Sequence, residues 1–185
     1  AFAVRYTADG SQAMVLASDS PGGGTTLTSK YWNGASWSSS STIGSLGGSD
    51  TAHWVTLKAD PTPSANDLMA TIVDSNGDVS AAFWGGSSWS TTADIDNTDS
   101  TTSRAADFAW NPYGSTGLLV WETDTTGTTV SRKTWTGSWG STSTSSTYAD
   151  SGKWISLHTV KKGAGGIKLL GGRLNLANDV EAFKW

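Results

Sequence analysis

The chain has 185 residues, no cysteine and a formal net charge of −4, with only 15% charged residues. Without cysteine it can form neither disulfides nor thiolate metal centres, and its acidic balance disfavours a nucleic-acid partner. Its 11 tryptophans mark a folded chain despite the Ser/Thr-rich runs, because disordered segments are poor in aromatics.

In chain order, the first unit (about 1–50) opens with strands over Val4–Ala8 and Ala13–Ala17. A turn at Pro21–Gly24 follows, then a strand over Leu27–Trp32. The second unit (about 51–103) is the clearest. Trp54–Asp60 reads as a strand, and the prolines of 61–66 make a turn because they remove ladder donors. Leu68–Val73 reads as a buried strand. Asp74–Gly77 reads as a hairpin, where Asn-Gly adopts positive φ at low cost. Val79–Trp84 is a third strand, Gly85 and Gly86 interrupt the chain, and Ser88–Asp94 is a fourth.

The third unit (about 104–152) has strands at Ala106–Trp110 and Leu118–Glu122, with turns at Asn111–Gly114 and near Gly127. The fourth (about 153–185) has strands at Trp154–His158 and Ile167–Leu170, and a hairpin at Asn178-Asp179. No stretch has helical periodicity, and no apolar run approaches the ~20 residues that span a bilayer. The opening Ala1-Phe2-Ala3-Val4-Arg5 does not read as a signal peptide.

The units share a register. Trp32, Trp84, Trp135 and Trp185 are spaced by 52, 51 and 50 residues, and each closes a six-residue strand. A second tryptophan follows the first three, in WNGASW, WGGSSW and WTGSW. Recurrence at this period is the signature of a repeat architecture. Four short antiparallel strands per repeat point to an all-β propeller-type array, since sandwich strands are not usually copies of one another. The fourth unit lacks its WxGxSW step and so its outer strand. The array is therefore expected to be a ring with a short last blade, part of a larger propeller, or a chain completed by strand addition from another.

The carriers TADGSQAMVLASD, ATIVDSNGDVSAAFWGGSSW and NPYGSTGLLVWETDTTGTTVSRKTWTGSW resemble repeats of bacterial and archaeal secreted surface proteins with β-propeller architecture. That resemblance covers essentially the whole chain. It implies an extracellular or cell-surface, non-catalytic role in adhesion or assembly. Fucose-binding propeller lectins carry a similar WDGxGW step, but their sugar-binding Arg and Glu have no repeated counterparts in this chain. Sialidase-type Asp-boxes are approached by Ser75–Asp78 with Trp84, at a spacing that departs from theirs.

Three features are candidate sites. Trp37, Trp89 and Trp139 could form a ring of platforms for sugar faces, since indole has an apolar face and one N–H donor. The alternative is that they pack between blades. Trp110 and Trp121 occur in the third unit only, so they are either exposed ligand contacts or fillers of local gaps. Asp94, Asp96 and Asp99 offer oxygen ligands suited to Ca²⁺, against the alternative of a solvated loop. Residues 153–185 carry a balance of +4, leaving −8 for the rest. Such asymmetry suits a head-to-tail contact between chains.

Two histidines at different positions of the unit, and two glutamates, mark no triad or carboxylate pair. The expectation is a non-enzymatic surface protein for recognition or assembly, without an obligatory cofactor. Its partner would be a glycan or another protein chain, including a second copy by strand addition. The alternatives are a carbohydrate-binding propeller lectin and a propeller-fold glycosidase fragment.

Overall fold

A computed structural model describes residues 1–18, 26–45, 51–96, 103–123, 128–148, 152–160, 169–175 and 177–185. They hold fifteen strands and no helix. The first sheet contains β1 (Phe2–Tyr6), β2 (Ala13–Ser18), β3 (Thr26–Trp32) and β4 (Ser41–Ser45). The second contains β5 (Ala52–Ala59), β6 (Asp67–Asp74), β7 (Val79–Gly85) and β8 (Trp89–Asp96). The third contains β9 (Ala106–Trp110), β10 (Gly117–Glu122), β11 (Thr129–Trp135) and β12 (Ser143–Thr147). The fourth has three strands among the described residues: β13 (Gly152–Thr159), β14 (Leu169–Asn175) and β15 (Val180–Lys184).

Every sheet is an antiparallel meander in chain order. The sheets stand side by side like blades, with β1 against β5, β5 against β9, and β9 against β13. The core divides accordingly into three clusters, one at each junction between consecutive blades. A middle strand serves two of them at once. Leu68, Ala70 and Ile72 of β6 pack towards the first blade, while Met69 and Val73 pack towards the third. This is why β6 and β10 read as continuous apolar runs rather than alternating ones.

The repeated tryptophan step has one geometry. Gly34, Gly86 and Gly137, each two residues after the first Trp, have φ of +96°, +83° and +92°. That left-handed turn is strained for a residue with a Cβ. It folds the second Trp back on the first, with ring centroids 5.6 Å apart for Trp32–Trp37, 5.5 Å for Trp84–Trp89 and 5.0 Å for Trp135–Trp139.

Near the inner strands, Asp107 of β9 is fully buried and gathers its neighbours. Its carboxylate accepts from Lys58 Nζ of β5 at 3.0 Å and from the Leu157 amide of β13 at 2.8 Å. The same Lys58 ammonium donates to the Leu157 carbonyl at 3.1 Å, so the second and fourth blades meet through the third.

One strand differs from expectation. The second strand of the fourth unit runs Leu169–Asn175, straight through Gly171 and Gly172, rather than over 167–170. The glycines are not breakers here: a Cβ on Gly171 would lie 2.1 Å from the Phe183 ring, so its smallness makes room for that side chain. Residues 167 and 168 and the expected turns at Pro21–Gly24 and Gly127 lie outside the described residues.

Candidate functional site: a groove between the first two blades

The three junctions are built on the same positions but filled differently. At the first, Tyr31 of β3 faces Trp84 of β7 with centroids 5.5 Å apart. At the second, Phe83 and Trp135 take those places, 4.9 Å apart. The cross-strand rows then diverge. Trp84 pairs with Leu68, and Leu68 with Ala59. Trp135 pairs with Gly117, and Gly117 with Trp110. Where the second blade has Ala59, the third has an indole.

Trp110 closes the second junction. It is 1% exposed, lies within 6.5 Å of Phe83 and 5.0 Å of Phe108 between centroids, and donates its N–H to the Lys58 carbonyl. Ala59 instead borders a cavity of about 590 Å³ with Val4–Ala8, Asp60 and Pro61, and the first junction also has a separate groove of about 740 Å³. Its walls are Tyr31, Trp84 and Trp89 on the aromatic side, with Ser38–Gly44 and Gly86–Ser88 forming the rest beside Met14 and Ser29. Among the described residues, no Asp, Glu, Lys, Arg or His lines it.

The polar groups of the groove are unequal. Trp89 Nε1 donates to Ser29 Oγ at 3.2 Å, and Ser29 Oγ shares a hydrogen bond with Ser41 Oγ at 2.9 Å. Trp84 is buried and lines the groove, yet its Nε1–H has no partner within the protein. A buried donor left unmade costs its full desolvation. Burial, then the charge of Asp9, raises the pKa of the Tyr31 hydroxyl, so the phenol stays neutral at ordinary pH.

The sequence candidates divide on this geometry. Trp89 is a wall of the groove. Trp139 is its counterpart at the second junction, packed 6.1 Å from Phe108. Trp37 is half exposed on the outward side of the first blade, over a shallower apolar cavity of about 440 Å³ with Val15, Ala17 and Lys30. Trp110 and Trp121 are not exposed: each is 1% accessible and belongs to the second core cluster. Sequence reasoning left Tyr31 and Trp84 out of the site. The signal available was Tyr31 standing where the second blade has Phe83 at one position of the repeat.

The acidic run does not assemble into a site among the described residues. Asp96 accepts a hydrogen bond from Trp121 Nε1. Asp99 and the side chain of Asp94 lie outside what is described. No group of three or more His, Cys, Asp or Glu that could hold a metal occurs among the described residues. No helix is long and apolar enough to cross a membrane.

Comparison with solved structures supports the architecture. A fucose-specific lectin from Aleuria aurantia superposes with a TM-score of 0.65 at 12% identity, over the whole of this chain and 59% of that one. The fold is a β-propeller type. A triple arginine-to-alanine mutant of AofleA from Arthrobotrys oligospora gives a TM-score of 0.64 at 10% identity, over all of this chain and 52% of its own. An Asn-to-Gln mutant of Aleuria aurantia lectin in complex with Fucα1-6GlcNAc gives 0.62 at 15%, again over all of this chain and 59% of that one. The chain thus spans between half and three fifths of the structures it matches. No family model and no curated protein matches the sequence.

Proposed function

We propose that this β-propeller array is a non-enzymatic carbohydrate-binding protein, and that its sugar site is the groove between the first two blades. The observation that carries the reading is the partnerless, buried N–H of Trp84 in an open groove flanked by Tyr31 and Trp89. Aromatic faces stack on the apolar C–H face of a pyranose, and an indole N–H supplies one directed bond to a hydroxyl. The serine-rich wall offers further hydroxyl donors and acceptors. With no charged side chain among the described lining residues, the groove suits a neutral sugar, whose binding should be insensitive to ionic strength. Two of the similar structures are a fucose-specific lectin and a lectin in complex with Fucα1-6GlcNAc, which supports a glycan as ligand. A glycan-binding role also accords with an extracellular or surface location.

Tryptophan fluorescence and calorimetry with fucose, galactose, mannose and N-acetylglucosamine test this. Saturable binding of at least one sugar, abolished by Tyr31→Ala and by Trp84→Ala in folded protein, is the expected result. Absence of any response to these sugars at millimolar concentration overturns it.

A second reading, assembly between chains, is favoured by the outward faces of the end blades. Phe2, Val4 and Tyr6 are more than half exposed on one side of β1, and Leu170 and Val180 are exposed on the fourth blade. Those apolar faces suit contact with another blade, and light scattering across a concentration series tests it. A mass fixed at one chain removes this reading.

A further inference from the structure

The connection between β5 and β6 carries a polar arrangement that the third blade avoids. Its base is closed by a hydrogen bond from the Asp60 amide to the Asp67 carbonyl at 3.0 Å. It folds back on itself through Thr62 N to Asp60 Oδ1 at 2.8 Å and Ala65 N to the Thr62 carbonyl at 3.0 Å. Asp60 is 0% exposed, and its second carboxylate oxygen has no partner within the protein. Two more buried oxygens in the same connection, Thr62 Oγ1 and Asn66 Oδ1, are also without partners. No ion pair reaches Asp60 or Asp67 among the described residues.

The third blade shows how the same connection is satisfied without an added group. There the Asn111 amide bonds to the Thr116 carbonyl, as Asp60 does to Asp67. The side chains differ. Asn111 Nδ2 donates to Thr116 Oγ1 at 3.1 Å, bridging the base of the connection. The second blade has a carboxylate at each of those two positions, and neither can donate to the other when ionised. A buried carboxylate without a counter-charge is strongly unfavourable. Something positive must replace the donor that Asn111 supplies in the third blade.

We infer that the Asp60–Asp67 connection is a binding site for a hard divalent cation of the Ca²⁺ type, with Asp60, Asp67, Thr62 Oγ1 and Asn66 Oδ1 as its oxygen ligands. Carboxylate, hydroxyl and amide oxygens are the donor set that Ca²⁺ selects, with water completing its coordination. The site lies behind a wall of the groove. Asp67 is the ladder partner of Gly85, and a Cβ on Gly86 would touch Asn66 at 3.7 Å. The bound cation would therefore hold in place the turn that carries Trp84 into Trp89.

The inference stands apart from the sugar reading, because its test needs no sugar. The full chain is stripped with EDTA, exchanged into chelator-free buffer and titrated with CaCl₂ by calorimetry and by thermal unfolding. The expected result is one Ca²⁺ per chain. Tm should rise by about 5–10 °C once Ca²⁺ is ~100-fold above its Kd. Asp60→Asn copies the third blade. It should fold, have a Tm no lower than the Ca²⁺-free parent, and lose the response to Ca²⁺. Asp67→Asn should lose the response too. An unchanged Tm for the parent in Ca²⁺ overturns the proposal, as does an equal Ca²⁺ shift retained in both variants. A Ca²⁺-independent Tm that instead falls as pH rises through the Asp67 titration also overturns it, because a shared proton would then be the bridge.

Discussion

The indole of Trp110 donates its N–H to the carbonyl of Lys58 at 2.8 Å, and this bond pins a third-blade side chain across the second junction. Its counterpart on the second blade is Ala59, which borders a cavity with Val4–Ala8, Asp60 and Pro61 that is separate from the groove of Tyr31, Trp84 and Trp89. Ala59→Trp should fill that cavity and leave sugar binding in the groove unchanged while the fold persists. Trp110→Ala should cost about 3–5 kcal/mol of stability, the usual range for deleting a buried indole. Urea unfolding of both variants, with sugar titration of the first, checks the pair. Lost binding in Ala59→Trp would place the sugar beside Ala59 and not in the groove.

Trp84 separates binding from stability. Trp84→Phe keeps an aromatic face against Tyr31 but removes the partnerless N–H. Relief of a buried unsatisfied donor offsets part of the lost packing, so its stability should fall by less than that of Trp84→Ala. Its sugar affinity should drop by about 0.5–1.5 kcal/mol, roughly three- to tenfold, the net worth of one hydrogen bond. Calorimetry beside thermal melts reads both quantities. Unchanged affinity would show that the N–H meets only solvent.

How far the sequence disclosed this structure depends on what repeats. The tryptophan register and the Asn-Gly hairpin located strands β5 to β8 closely, because identical contexts recur and turn residues bracket them. The expected strand ends at Leu170, whereas β14 runs on through Gly171 and Gly172, and Gly171 makes room there for Phe183. The groove was hidden for the opposite reason. Its wall departs from the repeat at Tyr31 against Phe83, and a departure shows its consequence only once two blades face each other. Trp110 and Trp121 stood out as unrepeated, but only packing shows that both fill the second junction.

Asp107 should be the most sensitive polar position in the molecule. It is 0% exposed and accepts from Lys58, from the Leu157 amide and from Thr56 Oγ1, at 3.0, 2.8 and 3.3 Å. Removing one partner of a buried pair leaves the other without compensation, typically at about 3–5 kcal/mol. Asp107→Ala should fall in that range. It should also accelerate amide exchange at Leu157, whose N–H loses its acceptor, faster than at Leu119 in the strand next to β9. Uniform acceleration across all blades would indicate global destabilisation without a local role at the junction.

The third junction offers a test of whether a buried ion pair is needed at all. Arg173 is 1% exposed and forks onto Glu122, which is fully buried, while its remaining nitrogen reaches Glu181 at 2.6 Å. Burial alone would lower the Arg173 pKa, but its hydrogen bonds to Glu122 and Glu181 outweigh that and raise it. A base with a raised folded-state pKa contributes stability below its unfolded pKa and loses it only as pH rises through the folded one. Both lie far above neutrality, so the charge persists throughout ordinary conditions. The register supplies the control. Arg173 pairs with Glu181 as Ile72 pairs with Ser80, and Glu122 pairs with Val130 as Val73 pairs with Val79. The second blade fills the same two repeat positions with Ile72, packed towards the first blade, and Val73, packed towards the third, so each position accepts a buried apolar side chain. Arg173→Ile alone should lose about 3–5 kcal/mol, because the buried Glu122 carboxylate loses the guanidinium that neutralises it. The double change Glu122→Val with Arg173→Ile should recover that loss and could exceed the parent by about 1–4 kcal/mol. Denaturant unfolding of the single and double variants decides it. A double variant as unstable as the single one would mean that the pair, through the stacking of Arg173 on Tyr148 at 4.5 Å, holds the fourth blade in a way apolar packing cannot replace.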